Sequence, residues 1–256
     1  MVRFIRTAGR CNVLIGSISR RRCFAAVAIA ACVGLFGCQA AGPNRSAASS
    51  AGDNQARIDA QARDAFAVYR IDSASSDVRI LVYRAGALAR LGHNHVISAR
   101  RLTGRVYLRR GLLKSSFDLT VPVDGLEVDD PEARAEEGEA FSSQPSQSDI
   151  RGTRRNLLGK RVLDAAEFPT VTLSGALGSV DPPSVQCTLS FRGRPVQLSV
   201  PVELEVRGPT LRVSGSFSLS HEQLGLEPFS VLLGAIKVAD QLDLKFRIEA
   251  RRQQDS

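Results

Sequence analysis

The 256-residue sequence has no tryptophan, only three histidines, and almost no cysteine outside its first stretch. Cys11, Cys23, Cys32 and Cys38 crowd together and Cys187 stands alone in the body, so no internal disulfide can staple the fold. Gly-x-Ser-x-Gly, P-loop and dinucleotide strings are absent from the body, as are paired carboxylates at a recognisable catalytic spacing. These absences exclude the common enzyme classes, and the chain reads as a non-enzyme. The formal net charge of +8 is also less than it looks. Arg3, Arg6, Arg10, Arg20, Arg21 and Arg22 precede every acidic residue, and without them 28 basic groups face 26 acidic ones. No basic stripe is left for a phosphate backbone, so nucleic acid is excluded as a partner.

The first 37 residues have the pattern of an export leader. Arg20, Arg21 and Arg22 precede an apolar run from Phe24 to Gly37, shorter than the ~20 residues a membrane span needs. The run ends in Leu35-Phe36-Gly37-Cys38, which resembles a bacterial lipobox, with Cys38 as the acylated new N-terminus. Gln39 after it resembles the outer-membrane sorting pattern, and Arg21-Arg22-Cys23-Phe24 resembles part of a twin-arginine signal. The expected location is the periplasmic side of the envelope, with Cys38 anchored in the outer membrane. The alternative is an ordinary signal peptide cut elsewhere.

Residues 38–65 are rich in Ala, Ser, Gly and Gln and have almost no bulky apolar side chain, which predicts a disordered tether. From residue 66 to 251 the pattern changes to period two. Phe117, Leu119, Val121 and Val123 alternate with polar neighbours, as do Val196, Leu198, Val200, Val202, Leu204 and Val206, and later Leu242, Leu244, Phe246, Ile248 and Ala250. Weaker alternation covers 78–82, 102–108, 171–177, 185–191 and 211–219. Such strands bury one face and wet the other, and their short Gly- and Pro-bearing links favour an antiparallel meander. The expected fold class is all-β: an antiparallel barrel of eight or so strands, closed to remove its edges.

One stretch, from Asp129 to about Ala166, breaks this pattern. Asp130 followed by Pro131 and Glu132 is helix-start chemistry, and a second helix is expected over 147–161 with Ile150, Leu157 and Leu158 on one face. This helical insertion is expected to lie across one end of the barrel. The acidic residues Asp129, Asp130, Glu132, Glu136, Glu137 and Glu139 lack the calcium-loop pattern and read as a solvated helix face.

Several segments, in order, resemble the YceI-like family, a lipocalin-like group of polyisoprenoid-binding proteins. They are Tyr69-Arg70-Ile71-Asp72-Ser73 with Val78-Arg79-Ile80, Leu102-Thr103-Gly104-Arg105-Val106, Leu163-Asp164-Ala165-Ala166-Glu167-Phe168-Pro169-Thr170-Val171, Cys187-Thr188-Leu189-Ser190-Phe191-Arg192-Gly193, and Leu224-Gly225-Leu226 with Val238-Ala239-Asp240. Two positions depart from the family pattern. Phe191 or Arg192 replaces the histidine of its "LTlhG" hairpin, and Leu224 replaces a phenylalanine. The resemblance implies an apolar pocket that takes an isoprenoid-like lipid, such as a quinone tail or polyprenyl carrier.

The inward parity is mostly Val and Leu, medium side chains that leave a lumen. Its expected lining is Phe117, Leu119, Val121, Val171, Leu173, Leu198, Val200, Val202, Phe217, Leu219, Leu244 and Phe246. His93 and His95, two apart, share one face of a strand, and His221 has the parity of Phe217 and Leu219. All three are candidates to hold a ligand head group or a divalent metal; the bland alternative is hydrogen bonding at a strand start. A Gly-His-x-His string resembles one YceI-like subgroup. Cys187, on the inward parity, reads as a small buried hydrophobe. The leading expectation is a membrane-anchored carrier of an apolar small molecule or lipid. Its rivals are a metal-binding or redox-accessory protein using His93 and His95, with His221 as a third ligand, and a structural envelope lipoprotein with a filled barrel.

Overall fold

The computed structural model describes residues 45–254. The leader over 1–37 and Cys38 lie outside the described residues. The first described element is a helix, α1 (Arg45–Asp64), where the composition predicts a tether without structure. Local terms account for the difference: Ala, Gln and Arg are good helix formers, and Gln55 donates to Asp59 at 2.8 Å one turn on. Asp64 then bridges to Arg109 of the body at 3.2 Å.

Thirteen strands follow among the described residues. They are β1 (Ala67–Ile71), β2 (Asp77–Ala85), β3 (His95–Ala99), β4 (Thr103–Leu108), β5 (Ser116–Pro122) and β6 (Leu126–Val128). The insertion carries α2 (Pro131–Ala135) and α3 (Gln147–Leu158). The remaining strands are β7 (Thr170–Val180), β8 (Pro183–Phe191), β9 (Arg194–Pro201), β10 (Glu203–Arg207), β11 (Thr210–Ser220), β12 (Ser230–Val231) and β13 (Ile236–Arg252). Every ladder is antiparallel, in the order β6-β3-β2-β13-β1-β4-β5-β7-β8-β9, with β11 on the other edge of β13 and β10 beyond it. The sheet is thus all-β and strongly curved.

Two features of the alternation are resolved differently from the sequence expectation. The run from Val196 to Val206 is two strands, because the chain turns a corner at Pro201-Val202: β9 pairs with β8, and β10 pairs with β11. Pro201 has no N–H to continue a ladder, and the Val202 N–H donates instead to the Pro183 carbonyl at 3.0 Å. Among the described residues no ladder joins β9 to β10 or β11, so the expected closed barrel is an open ladder that wraps around its core through this corner. The parity survives the bend, and Val200 and Val202 are both buried.

Local turn chemistry sets the hairpins. Arg192 and Gly193 link β8 to β9 with φ of 49° and 71°, the positive angles a two-residue turn needs to match strand twist. Gly208, at φ 56°, does the equivalent work between β10 and β11. In the insertion the Asp130 side chain caps α2 by accepting from the Ala133 N–H at 3.0 Å, and Ser146 with Asp149 forms a capping box for α3. Ile150, Leu157 and Leu158 pack on the main core, and Arg154 donates to the Leu126 and Asp124 carbonyls. These contacts hold α3 over one end of the sheet.

Candidate functional site

The interior holds two cavities with different chemistry. The first, about 180 Å³, is enclosed by inward side chains from β1, β2, β4, β5, β7 to β11 and β13, and no polar surface faces it. Of the expected lining residues, Phe117, Leu119, Leu173, Leu198, Val200, Val202, Phe217, Leu244 and Phe246 form its wall. Val121, Val171 and Leu219 do not: they belong to the packed core and line neither cavity. Cys187 lines the first cavity as a free thiol, and burial pushes its pKa up to about 11. It therefore stays protonated at neutral pH and is a poor nucleophile.

The second cavity, about 280 Å³, lies toward α3 and is lined by Ile80, Val82, Ile97, Leu157, Leu224 and Phe229 among others. His93, His95 and His221 all border it. The sequence parity of His221 thus holds although β11 ends one residue earlier, at Ser220. The two cavities share no lining residue. On β8, Leu189 stands between Phe191 of the second cavity and Cys187 of the first; on β11, Leu219 stands between His221 and Phe217. On β13 no such residue intervenes: Leu242 borders one cavity and Leu244 the other.

The histidines are held by different means. His95 opens β3 and its Nδ1 lies 2.6 Å from Asp129 Oδ2. The Asp129 side chain is fully buried, accepts from the Val96 N–H at 3.0 Å, and pairs with the buried Arg134 guanidinium. Burial pushes the Asp129 carboxyl up, but hydrogen bonds from His95, Val96 and Arg134 outweigh it and hold the group below the usual carboxylate range. Arg134 also donates to the carbonyls of Asn94 at 2.7 Å, Phe141 at 2.8 Å and Ser143 at 2.7 Å, which ties the segment after α2 to β3. His221 is buried, and its Nδ1 lies 2.7 Å from the Asp240 carbonyl oxygen. His93 is the loosest, with Nε2 4.0 Å from Asp149. Among the described residues no three His, Cys, Asp or Glu side chains gather as a metal site, so the three-histidine centre the sequence allowed is not assembled. The three rings border one cavity, and each is held by a separate partner.

The acidic stretch also departs from the expected solvated face. Asp129 is sealed behind His95, and the Glu137 side chain is only 3% exposed between Arg79 at 3.1 Å and Lys245 at 2.5 Å. Charge density in the sequence hid the burial of Glu137, because its partners Arg79 and Lys245 lie on distant strands. Asp129 carried one local signal: it sits two residues before the Pro131 that starts α2, where the chain turns with φ 57°.

A curved antiparallel sheet around a largely apolar interior, with a helical cap over one end, defines a lipocalin-like all-β fold. The chain belongs to the YceI-like domain family, whose model matches residues 69–250. Among solved structures, Burkholderia cenocepacia BcnA is similar at 16% identity and a TM-score of 0.52, over 70% of this chain and 98% of that one. A Campylobacter jejuni YCEI protein aligns at 10% identity and a TM-score of 0.45, over 62% of this chain and 85% of its own. No curated protein sequence matches the chain.

Proposed function

We propose that the protein is a binding module, not an enzyme, which holds an isoprenoid-like apolar ligand in its interior and is tethered to the periplasmic side of the envelope, at the outer membrane, through acylated Cys38. The observation that carries this reading is the first cavity. An apolar void of about 150 Å³ is large enough to stay dry and bind a benzene-sized molecule, and this one is larger. At about 24 cal/mol per Å³, leaving 180 Å³ unfilled forgoes roughly 4 kcal/mol of stability, a heavy cost for a scaffold and a natural one for a carrier.

Each cavity alone is below or near the lower edge of the roughly 300–1,000 Å³ typical of ligand pockets. A short branched chain fits one of them. A longer chain occupies both once Leu189 and Leu219 change rotamer. Native mass spectrometry of the full chain, extracted gently from its own membranes, is expected to reveal a co-purified apolar lipid; a clean apo mass overturns the carrier role. Anchoring has its own test: labelled palmitate is incorporated by the wild-type chain and not by Cys38→Ser.

A further inference from the structure

We propose that the paired loops 84–92 and 229–237, at the end of the sheet that α3 covers, are a docking surface for a lipid bilayer with anionic headgroups, and that Leu233 and Leu91 enter its acyl layer. The proposal rests on the carrier reading for its purpose, delivery of an apolar ligand to a membrane. Its test reads membrane contact alone, so the two fail separately.

The two loops are one structural unit. The Leu88 N–H donates to the Ala235 carbonyl at 2.9 Å, Val231 pairs with Ile236 across the β12-β13 hairpin, and Arg84 donates to the Gly92 carbonyl at 2.7 Å. Gly86, at φ 94°, admits this closure, since a Cβ there would meet the Ala235 carbonyl oxygen at 2.5 Å. What the unit presents to solvent is apolar. Among the described residues Leu233 and Leu91 are the two most exposed large hydrophobic side chains, the first fully exposed and the second at 62%, and Val231 on the same hairpin is at 43%. Leu233 also holds φ 55° and ψ 33°, a left-handed conformation where Gly or Asn is the ordinary choice. A leucine kept there in water is unfavourable in both backbone and hydration, and insertion into hydrocarbon removes the hydration cost.

Charge selects the partner. Arg84, Arg90 and Lys237 are exposed on these loops, which contain no acidic residue. The exposed pair Lys160-Arg161 adjoins them, with the Arg161 guanidinium 4.5 Å over the Phe229 ring. Glu227 and Asp240 flank the second loop in sequence, so the cations still outnumber the acids. An apolar tip set among cations matches anionic headgroups over hydrocarbon. The other exposed apolar side chains offer less. Phe66 lies under the Arg110 guanidinium at 4.3 Å, and Leu113, Val180 and Val206 are each under half exposed, on turns and strand ends away from α3. Gly92, Phe229, Val231 and Ile236 of the paired loops also border the second cavity. Docking therefore sets a wall of that cavity against the bilayer, where an apolar ligand can pass without crossing water.

The chain has no tryptophan, so one placed at Leu233 reports that position alone. Full-length Leu233→Trp, reconstituted into vesicles of phosphatidylcholine and phosphatidylglycerol in equal parts, is expected to shift its emission to the blue and to be quenched by brominated acyl chains. Leu91→Trp repeats the reading from the other loop. Val180→Trp keeps the same N-terminal segment and is expected to stay unquenched. All three replace exposed side chains, so the core need not adapt. Arg90→Gln in the Leu233→Trp chain is expected to lower the ratio of docked to free protein about fivefold, and pure phosphatidylcholine to lower it further. Tip tryptophans that stay in water, quenching at Val180→Trp equal to that at Leu233→Trp, or equal docking on pure phosphatidylcholine overturns the proposal. A blue shift that grows with protein concentration in the absence of vesicles also overturns it, and makes a second copy of the chain the occupant. Docking by a protein that carries no co-purified lipid keeps the surface and removes the carrier; a bound lipid with a tip that stays in water does the reverse.

Discussion

The two cavities lie in one sheet and share its strands, yet they are walled in opposite ways. The first is bounded mainly by alternating Val, Leu and Phe, whose packing sets most of its shape. The second is bounded partly by side chains that buried ions and carbonyls hold in place, with Asp129 and Arg134 behind His95 and Asp240 behind His221. Packing can adjust to a guest by rotamer changes. An ion pair out of water cannot move without exposing an unpaired charge. The first region should therefore tolerate ligands of varied shape, and the second should fix one end of them.

The largest effect that can break this contrast comes from the ionic wall. Arg134→Met leaves Asp129 buried without its cation and is expected to cost about 3–5 kcal/mol in urea unfolding; a cost under 1 kcal/mol would mean the wall is soft. The same wall is acid-sensitive. Because the Asp129 carboxyl is held below its ordinary value, its contribution is fully present above the unfolded value of about 3.9 and is lost as pH falls through the folded one. Melting temperatures of wild type and Asp129→Asn are expected to differ at pH 6 and to begin converging only as pH falls below about 4.

Next in size is the partition. Leu219→Ala is expected to cost about 2–5 kcal/mol and to join the cavities, so that binding of a long-chain prenol improves relative to a short one; unchanged chain-length preference would mean Leu219 does not divide them. In the apolar wall, Cys187→Ser places a hydroxyl in a void that offers no partner, at an expected cost of about 1–3 kcal/mol in denaturant. Smallest is His93→Ala. Its ring lies 4.0 Å from Asp149 and is partly exposed, so unfolding should shift by about 0.5 kcal/mol or less.

Most of the apolar wall was legible in the sequence because period two assigns a face to each residue, whatever the strand's partners. Nine of the expected lining residues border the first cavity for that reason. The same rule could not separate Leu219 or Val121 from them. Whether an inward side chain meets another or a gap depends on what stands opposite across the interior, and alternation along one strand does not carry that. The corner at Val202 was hidden because parity runs through it unbroken. The burial of Glu137 was hidden for the opposite reason: its cations are supplied by tertiary contacts, Arg79 from 58 residues away and Lys245 from 108, and Asp129 likewise meets His95 from 34 residues away. The helix α1 was missed because composition without apolar residues argues against a core, and an exposed helix needs none.

Strand β13 has a consequence for how the molecule comes into being. Over its 17 residues it pairs with β11 along one edge and with β1 and β2 in succession along the other. As the last strand in chain order, it is the shared seam of elements that are otherwise far apart in the sequence. Without residues 236–252 the strand ladders fall into three groups, β1-β4-β5-β7-β8-β9, β2-β3-β6 and β10-β11, and contacts at such sequence separation form slowly. The sheet is therefore completed only when β13 takes its place between ladders formed much earlier in the chain.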